Sequence, residues 1–190
     1  GDAAERIAED GLRILRFFRF SAHYSEGTVH DNGLTACHQH REMLNQLSGE
    51  RIAQEMIKLM RSDYAGEVLR LMKKAQLHPF LFGREMDVSP LAAWQKVRLM
   101  ADVQREVEIP LALILRAMDD PEERVAWISS RWNISNRWAE TLKLYIKFPL
   151  LAADVDEKTQ KKWLRKCGES LYRSLLLISW AEQLAYPQQK

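Results

Sequence analysis

The sequence predicts an all-α fold, an irregular array of helices, on three observations. Apolar residues recur at three- and four-residue intervals along almost the whole chain, and no run alternates apolar and polar residues as a half-buried strand does. Eight glycines and six prolines in 190 residues, with 46% hydrophobic residues, describe a globular chain poor in helix breakers. Helix starts are marked at Asp63, at Ser89 with Pro90, at Asp120 with Pro121 followed by Glu122 and Glu123, and at Ser135.

These signals place helices at residues 3–24, 33–47, 49–61, 64–76, 90–105, 109–118, 121–131, 136–147 and 157–185. The first puts Ile7, Gly11, Ile14, Leu15, Phe18 and Ala22 on one side of a helical wheel and Arg6, Glu9, Asp10, Arg13 and Arg16 on the other. Phe17 and Phe20 also fall on the charged side, where a solvated face has no use for large aromatics, so that face is expected to be covered. The helix at 49–61 has Ser48 as its cap, Glu50 at the positive end of its dipole, and Leu47 placed to pack on Ile52. Met56, Met60 and Met72 read as helix interior.

Pro79 and Gly83 interrupt the pattern between Gln76 and Ser89. The chain therefore divides into a first unit at 1–76, a linker at 77–89 with His78 as a plain linker residue, and a second unit at 90–190. All six tryptophans lie in the second unit, which should hold the larger aromatic core. There is no repeat of fixed period and no low-complexity tract.

Asp10 and Arg13, three residues apart, set a hydrogen-bond acceptor beside a fork of donors. Cytosine and adenine offer an amine that donates next to a ring nitrogen that accepts, whereas uracil and guanine offer a carbonyl next to a ring N–H. An acid beside a guanidinium matches the first pair, so such a site would accept CTP and ATP. An unpaired buried polar group costs roughly 1–3 kcal/mol, about ten- to hundredfold discrimination per contact. The same spacing also describes ordinary solvated ion pairs worth about 0.2–0.5 kcal/mol each, and spacing alone leaves both readings open.

The string Gly1-Asp2, Glu5-Arg6, Glu9-Asp10-Gly11-Leu12-Arg13-Ile14-Leu15-Arg16 and Arg19-Phe20 resembles the opening of the neck in the bacterial class II tRNA nucleotidyltransferase (CCA-adding enzyme) and poly(A) polymerase family. Glu9 to Arg13 matches its E-D-x-x-R motif residue by residue. The resemblance implies that Asp10 and Arg13 hydrogen-bond the incoming base while Glu9 orients the arginine, with Arg16 of the same string in the nucleotide-binding set. Glu50-Arg51-Ile52 with Glu55 is similar to the family's E-R-I-x-x-E helix and reads as mostly structural. The likeness is specific over residues 1–60, weak to 75 and generic beyond, and it makes 1–76 a neck and 90–190 a tRNA-binding body and tail.

In that family the reaction belongs to an N-terminal head domain whose D-x-D pair holds Mg2+. Here the one D-x-D, Asp154-Val155-Asp156, precedes a Lys-rich helical pattern and reads as a loop and N-cap. The resemblance thus implies ATP and CTP as substrates, Mg2+ held by the head, tRNA and the head as partners, and no transferase activity from this chain alone. No catalytic residue and no metal ligand is assigned here. His30-Asp31 is a literal HD pair in an expected loop, without partner ligands, and His38 and His40 are two apart and point away from each other. Cys37 and Cys167 are isolated, with Cys37 read as a small hydrophobe, and there is no phosphate loop or nucleophile elbow.

A net charge of +2 permits nucleic-acid binding without demanding it. The most basic cluster is Lys158, Lys161, Lys162, Arg165, Lys166 and Arg173, against Asp156, Glu157 and Glu169. It either follows an RNA backbone or is a solvated face, and the resemblance favours a grip on tRNA. The charged opening and the lack of an apolar run near 18 residues suggest a cytoplasmic protein with no membrane partner. The competing reading is a helical protein–protein adaptor with no nucleotide site, whose first helix docks its arginine-and-phenylalanine face on another protein.

Overall fold

A computed structural model describes residues 3–103, 106–151 and 155–187, and every regular element among them is helical. In chain order these are α1 (Ala3–Glu9), α2 (Leu12–Tyr24), α3 (Asp31–Gln39), a 3-10 helix (Arg41–Gln46), α4 (Gly49–Met60), α5 (Ala65–Lys74), α6 (His78–Phe82), α7 (Pro90–Met100), α8 (Glu108–Arg116), α9 (Pro121–Trp132), α10 (Asn136–Lys147) and α11 (Glu157–Ala185). Among the described residues no helix is long and apolar enough to cross a membrane.

Four departures from the sequence pattern have local causes. The opening helix is two helices: Asp10 turns its carboxylate back to accept the Leu12 N–H at 3.0 Å, which starts α2 afresh. The expected helix at 33–47 begins earlier, at Asp31, and stops at Gln39, where the Arg41 guanidinium donates to the His38 carbonyl at 2.7 Å and the chain tightens into the 3-10 turn. The helix from Pro90 ends at Met100 rather than 105, because Asp102 takes a left-handed φ of 48°. The last helix is broken at Gly168, whose φ of 76° and ψ of 165° belong to glycine.

α2 packs on α4 and α5, α1 on α3, and α4 on α9. α10 packs on α8 and α9, while α11 lies along α7 and α8. One cluster of buried side chains runs from Ile7 to Ala181 through all of them. Of the tryptophans expected to fill a core, Trp132 is fully buried and Trp94 nearly so, whereas Trp180 is 39% exposed.

The segment 77–89 is not a solvated linker. Leu77, His78, Leu81, Phe82, Met86 and Val88 are buried in that common core, and α6 packs against α9. Trp132 Nε1 donates to the Leu81 carbonyl at 2.7 Å. His78, expected to be a plain linker residue, is fully buried: its Nε2 lies 2.9 Å from the Leu69 carbonyl and the Met86 N–H donates to Nδ1 at 3.3 Å. The ring is therefore neutral, with its proton on Nε2.

Two arginines close the second half. From the end of α8, Arg116 donates through Nη1 to the Tyr145, Ile146 and Phe148 carbonyls at 2.7, 3.1 and 2.9 Å, where α10 ends. Its Nε lies 2.6 Å from Glu182 Oε1 on α11, so one side chain joins three helices. Arg124 of α9 pairs with Asp120 at 3.2 Å, and Arg84 reaches the same carboxylate at 3.2 Å.

Burial lowers the pKa of His78 from 6.5 to about 4. The unfolded chain then binds the extra proton first as pH falls, so this contribution to stability is complete above pH 6.5 and disappears as pH drops toward 4. Urea unfolding of the chain at pH 7 and pH 5 is expected to differ by about 2 kcal/mol from this residue. The His78→Gln variant, which keeps a donor and an acceptor, should lack that component; an unchanged difference would contradict it.

Candidate functional site

The E-D-x-x-R segment sits where α1 gives way to α2, and α4 holds it from below. Ile14, Leu15 and Phe18 of α2 and Ile52, Met56 and Leu59 of α4 are buried in the common core. At the rim, two charged residues of α4 one turn apart reach across. Arg51 Nη2 donates to Asp10 Oδ2 at 2.9 Å and to Oδ1 at 3.1 Å. Glu55, only 5% exposed, lies 2.6 Å from Arg19 Nε and 3.7 Å from Arg16 Nε. The helix-capping and ion-pair roles of the two motifs are thus interlocked.

Asp10 does not stand beside Arg13 on one continuous helix face, as the wheel suggested, because the helix is interrupted at Asp10 and Gly11. The Leu12 N–H first, and then the Arg51 guanidinium, hold its carboxyl below the usual carboxylate range. It is therefore an ionised group that only accepts hydrogen bonds, and its side chain remains 34% exposed. Arg13, 40% exposed, is steadied through Nη1 by the Arg6 carbonyl at 2.7 Å and by Glu9 Oε2 at 2.5 Å. Glu9 is thus in contact with the arginine, and Arg16 is half-exposed beside Glu55.

Of the two phenylalanines on the charged side, Phe17 is covered from within the chain. A Cβ at Gly33 of α3 would lie 2.6 Å from its ring, so glycine is what lets α3 approach. Phe20 is 47% exposed, stacks on the more exposed Tyr24 with ring centroids 5.7 Å apart, and carries the Arg19 guanidinium 4.2 Å above its ring. Gly11 plays a similar part at the helix break, where a Cβ would lie 2.9 Å from Met43 Cβ.

α4 is fixed at its start by α9. A Cβ on Gly49 would meet the Arg131 carbonyl at 2.7 Å, and Arg131 itself donates to the Leu44, Leu47 and Phe80 carbonyls at 2.5, 3.1 and 3.3 Å. Ser48 occupies the N-cap position without a hydrogen bond from its side chain to the helix backbone. Glu50 is held below the usual carboxylate range by its own backbone N–H, then by Asn133 and Ser48.

The tail lysines and arginine, Lys158, Lys161, Lys162, Arg165 and Lys166, are all exposed on the part of α11 before Gly168. Lys161 pairs with Glu157 at 2.6 Å, and Lys166 Nζ lies 4.9 Å from the Trp163 ring and 5.7 Å from that of Phe148. Arg173 is exposed beyond the break. Asp156 caps α11 by accepting the Thr159 N–H at 2.9 Å, whereas Asp154 lies outside the described residues. His30 is the residue before α3 and Asp31 its first residue; His38 Nδ1 lies 3.2 Å from the Ala75 carbonyl. Cys37 is buried, and desolvation pushes its thiol up to about 12, so it stays protonated. Among the described residues no three His, Cys, Asp or Glu side chains gather to hold a metal ion.

Comparison with known proteins adds to this geometry. Residues 28–88 match the family model described as "Probable RNA and SrmB- binding site of polymerase A". The chain is 32% identical over 126 residues to the mitochondrial CCA tRNA nucleotidyltransferase 1 of Danio rerio, covering 64% of this chain and 28% of that protein. It is 29% identical over 166 residues to the CCA-adding enzyme of Bacillus licheniformis, covering 86% of this chain and 38% of that one. A solved structure titled "tRNA-processing enzyme (apo form 2)" superposes with a TM-score of 0.65 at 21% identity, covering 96% of this chain and 55% of that one, and shows the same fold.

The class is thereby defined as a helical unit of which residues 28–88 are similar to the polymerase A type of RNA-binding region. Within that class, the resemblance carried by the opening motifs holds: the chain is similar to the C-terminal part of the CCA-adding enzymes. It spans between a quarter and two fifths of the length of those two curated relatives, 28% of one and 38% of the other.

What the sequence did not reveal is Arg51 as the partner of Asp10, 41 residues away. Glu55 carries the junction. Glu55→Gln should lower unfolding free energy by about 2–3 kcal/mol, because it leaves Arg19 without its counter-charge. Arg16→Ala at the exposed end of the same cluster should cost under about 1 kcal/mol. Urea titration of the two variants checks the ranking, and equal effects would contradict it.

Proposed function

We propose that this chain is the base-selecting and tRNA-holding part of an enzyme that adds CMP and AMP to the 3′ end of tRNA. The observation that carries the reading is the fixed, ionised and part-exposed Asp10 carboxylate, held by Arg51 three residues before the part-exposed Arg13 at the start of α2. An acceptor-only carboxylate receives the exocyclic amine of cytosine or adenine and has nothing to offer the keto oxygen of uracil or guanine. Arg13 retains guanidinium donors beyond Nη1 for a ring nitrogen or carbonyl of the accepted base. Arg51 keeps the carboxylate in place and charged, which is the contribution of the second motif. Poly(A) addition, by a relative of the same family, would use the same edge of adenine.

In the proposed reaction the RNA 3′-hydroxyl attacks the α-phosphate of CTP or ATP and pyrophosphate leaves. Mg2+ would serve such a transfer by neutralising the phosphates. The described residues provide no cluster of three ligands for the ion. They do not fit it, so the metal and the reacting groups are assigned to the head domain implied by the resemblance. What this chain's residues do is orient the base and hold the RNA.

The adaptor reading draws on one observation, the exposed Phe20–Tyr24 pair. Nucleotide protection separates the two. When this chain is joined to the head domain of a CCA-adding relative, ATP and CTP should raise the melting temperature more than UTP does. An adaptor would show no such order.

In the same joined enzyme, Arg13→Ala should lose about ten- to hundredfold in the preference for CTP and ATP over UTP, or stop addition altogether. Asp10→Asn, which adds a donor, should admit UMP. Incorporation assays with single nucleotides test both, and wild-type fidelity would reject the role. For the tail, replacing Lys161, Lys162 and Arg165 by Glu should weaken tRNA binding at least tenfold and flatten its salt dependence. Unchanged affinity in a filter-binding titration would remove this patch from the grip.

A further inference from the structure

A second surface, apart from both the base-reading corner and the tail, has the chemistry of an RNA contact. The end of α4, the start of α8 and the first turns of α10 enclose a groove of about 430 Å3, lined among others by Arg61, Glu108, Arg137, Trp138 and Thr141. Arg61 and Arg137 are both exposed, and neither has a salt bridge among the described residues. Arg61 lies within residues 28–88, the stretch that matches the RNA-binding family model, and Arg137 lies far outside it in sequence.

Arg137 is the second residue of α10, whose first turn carries no acidic side chain. A cation there opposes the helix dipole and costs stability; the Trp138 N–H is taken by Ser135 Oγ at 3.3 Å, and the positive end of the dipole and the guanidinium together attract an anion. Glu108, the one acid lining the groove, turns its Oε2 to the Val107 N–H at 3.1 Å, at the start of α8. Trp138, partly buried against the core with its Nε1 buried and without a hydrogen-bond partner, adds the rest of its indole to the wall, where a base can stack on it.

We propose that this groove is an RNA subsite, in which Arg61 and Arg137 hold a backbone phosphate and Trp138 stacks against a neighbouring base. The subsite extends the RNA-binding face of residues 28–88 across onto α10. It rests on the reading that the chain binds tRNA, and it names residues that neither the opening motifs nor the basic tail include.

The test is tRNA binding by the 190-residue chain, with unfolding measured on the same variants. The double variant R61A/R137A should bind a tRNA transcript about tenfold more weakly, with a shallower salt dependence, and Trp138→Leu should weaken binding by a similar factor. Arg137→Ala alone should melt at the same or a higher temperature, because the cation works against its own helix. Full affinity in the double variant, while the tail variant loses it, overturns the subsite and leaves the general reading standing. A lower melting temperature for Arg137→Ala also overturns it, by making the residue structural. If the unaltered chain binds no tRNA and instead retains a protein partner, the broader reading falls and the subsite falls with it.

Discussion

The carboxylate of Glu55 is the constraint on which the first half of the chain depends. It is nearly buried between α2 and α4, and its charge is tolerable only because Arg19 and Arg16 face it from the opposing helix. That pairing fixes the rotation of α2 on α4. One turn earlier on α4, the same rotation brings Arg51 to Asp10. The acid that is proposed to read a base is therefore oriented by a helix whose own place is set by a buried ion pair and an apolar seam.

α4 is in turn anchored from the far half of the chain. Gly49 lets the end of α9 come within contact of its first turn, and Arg131 gathers three carbonyls from the 3-10 turn, the approach to α4 and α6. α9 packs on α10, whose end Arg116 closes while reaching Glu182 on α11. A part-buried arginine that donates to several backbone carbonyls satisfies acceptors the helices leave open and defines one geometry for the elements that supply them. The path from the Asp10 corner to the tail thus passes through arginines acting on backbone, rather than through apolar contacts alone.

Much of the helical layout was legible because its signals are local. Ser135 before α10, whose Oγ accepts the Trp138 N–H, and Pro121 at the head of α9 act within a few residues, and both helices begin where those residues place them. The breaks were not legible for the opposite reason. Gly11 lies on the apolar stripe and gives no sign that Met43 abuts it, and nothing near His78 reveals that Leu69 and Met86 enclose its ring. The site divides in the same way. Glu9 and Arg13 are one turn apart and their contact follows from spacing, whereas Asp10 with Arg51, and Arg61 with Arg137, are neighbours only after the chain has folded.

Gly168 separates two kinds of surface within one 29-residue stretch of α11. On its C-terminal side Tyr172, Leu175, Ile178 and Ala181 are locked into the core, so their identities are bound to the packing of α7 and α8. On its N-terminal side Trp163 and Cys167 reach only the edge of that core, Trp163 against Phe148 with ring centroids 5.5 Å apart, while Lys158, Lys161, Lys162, Arg165 and Lys166 are exposed. The exposed cations of that half can therefore change without any adjustment of the interior. In evolutionary terms those positions can drift in charge while the scaffold beneath them keeps its history.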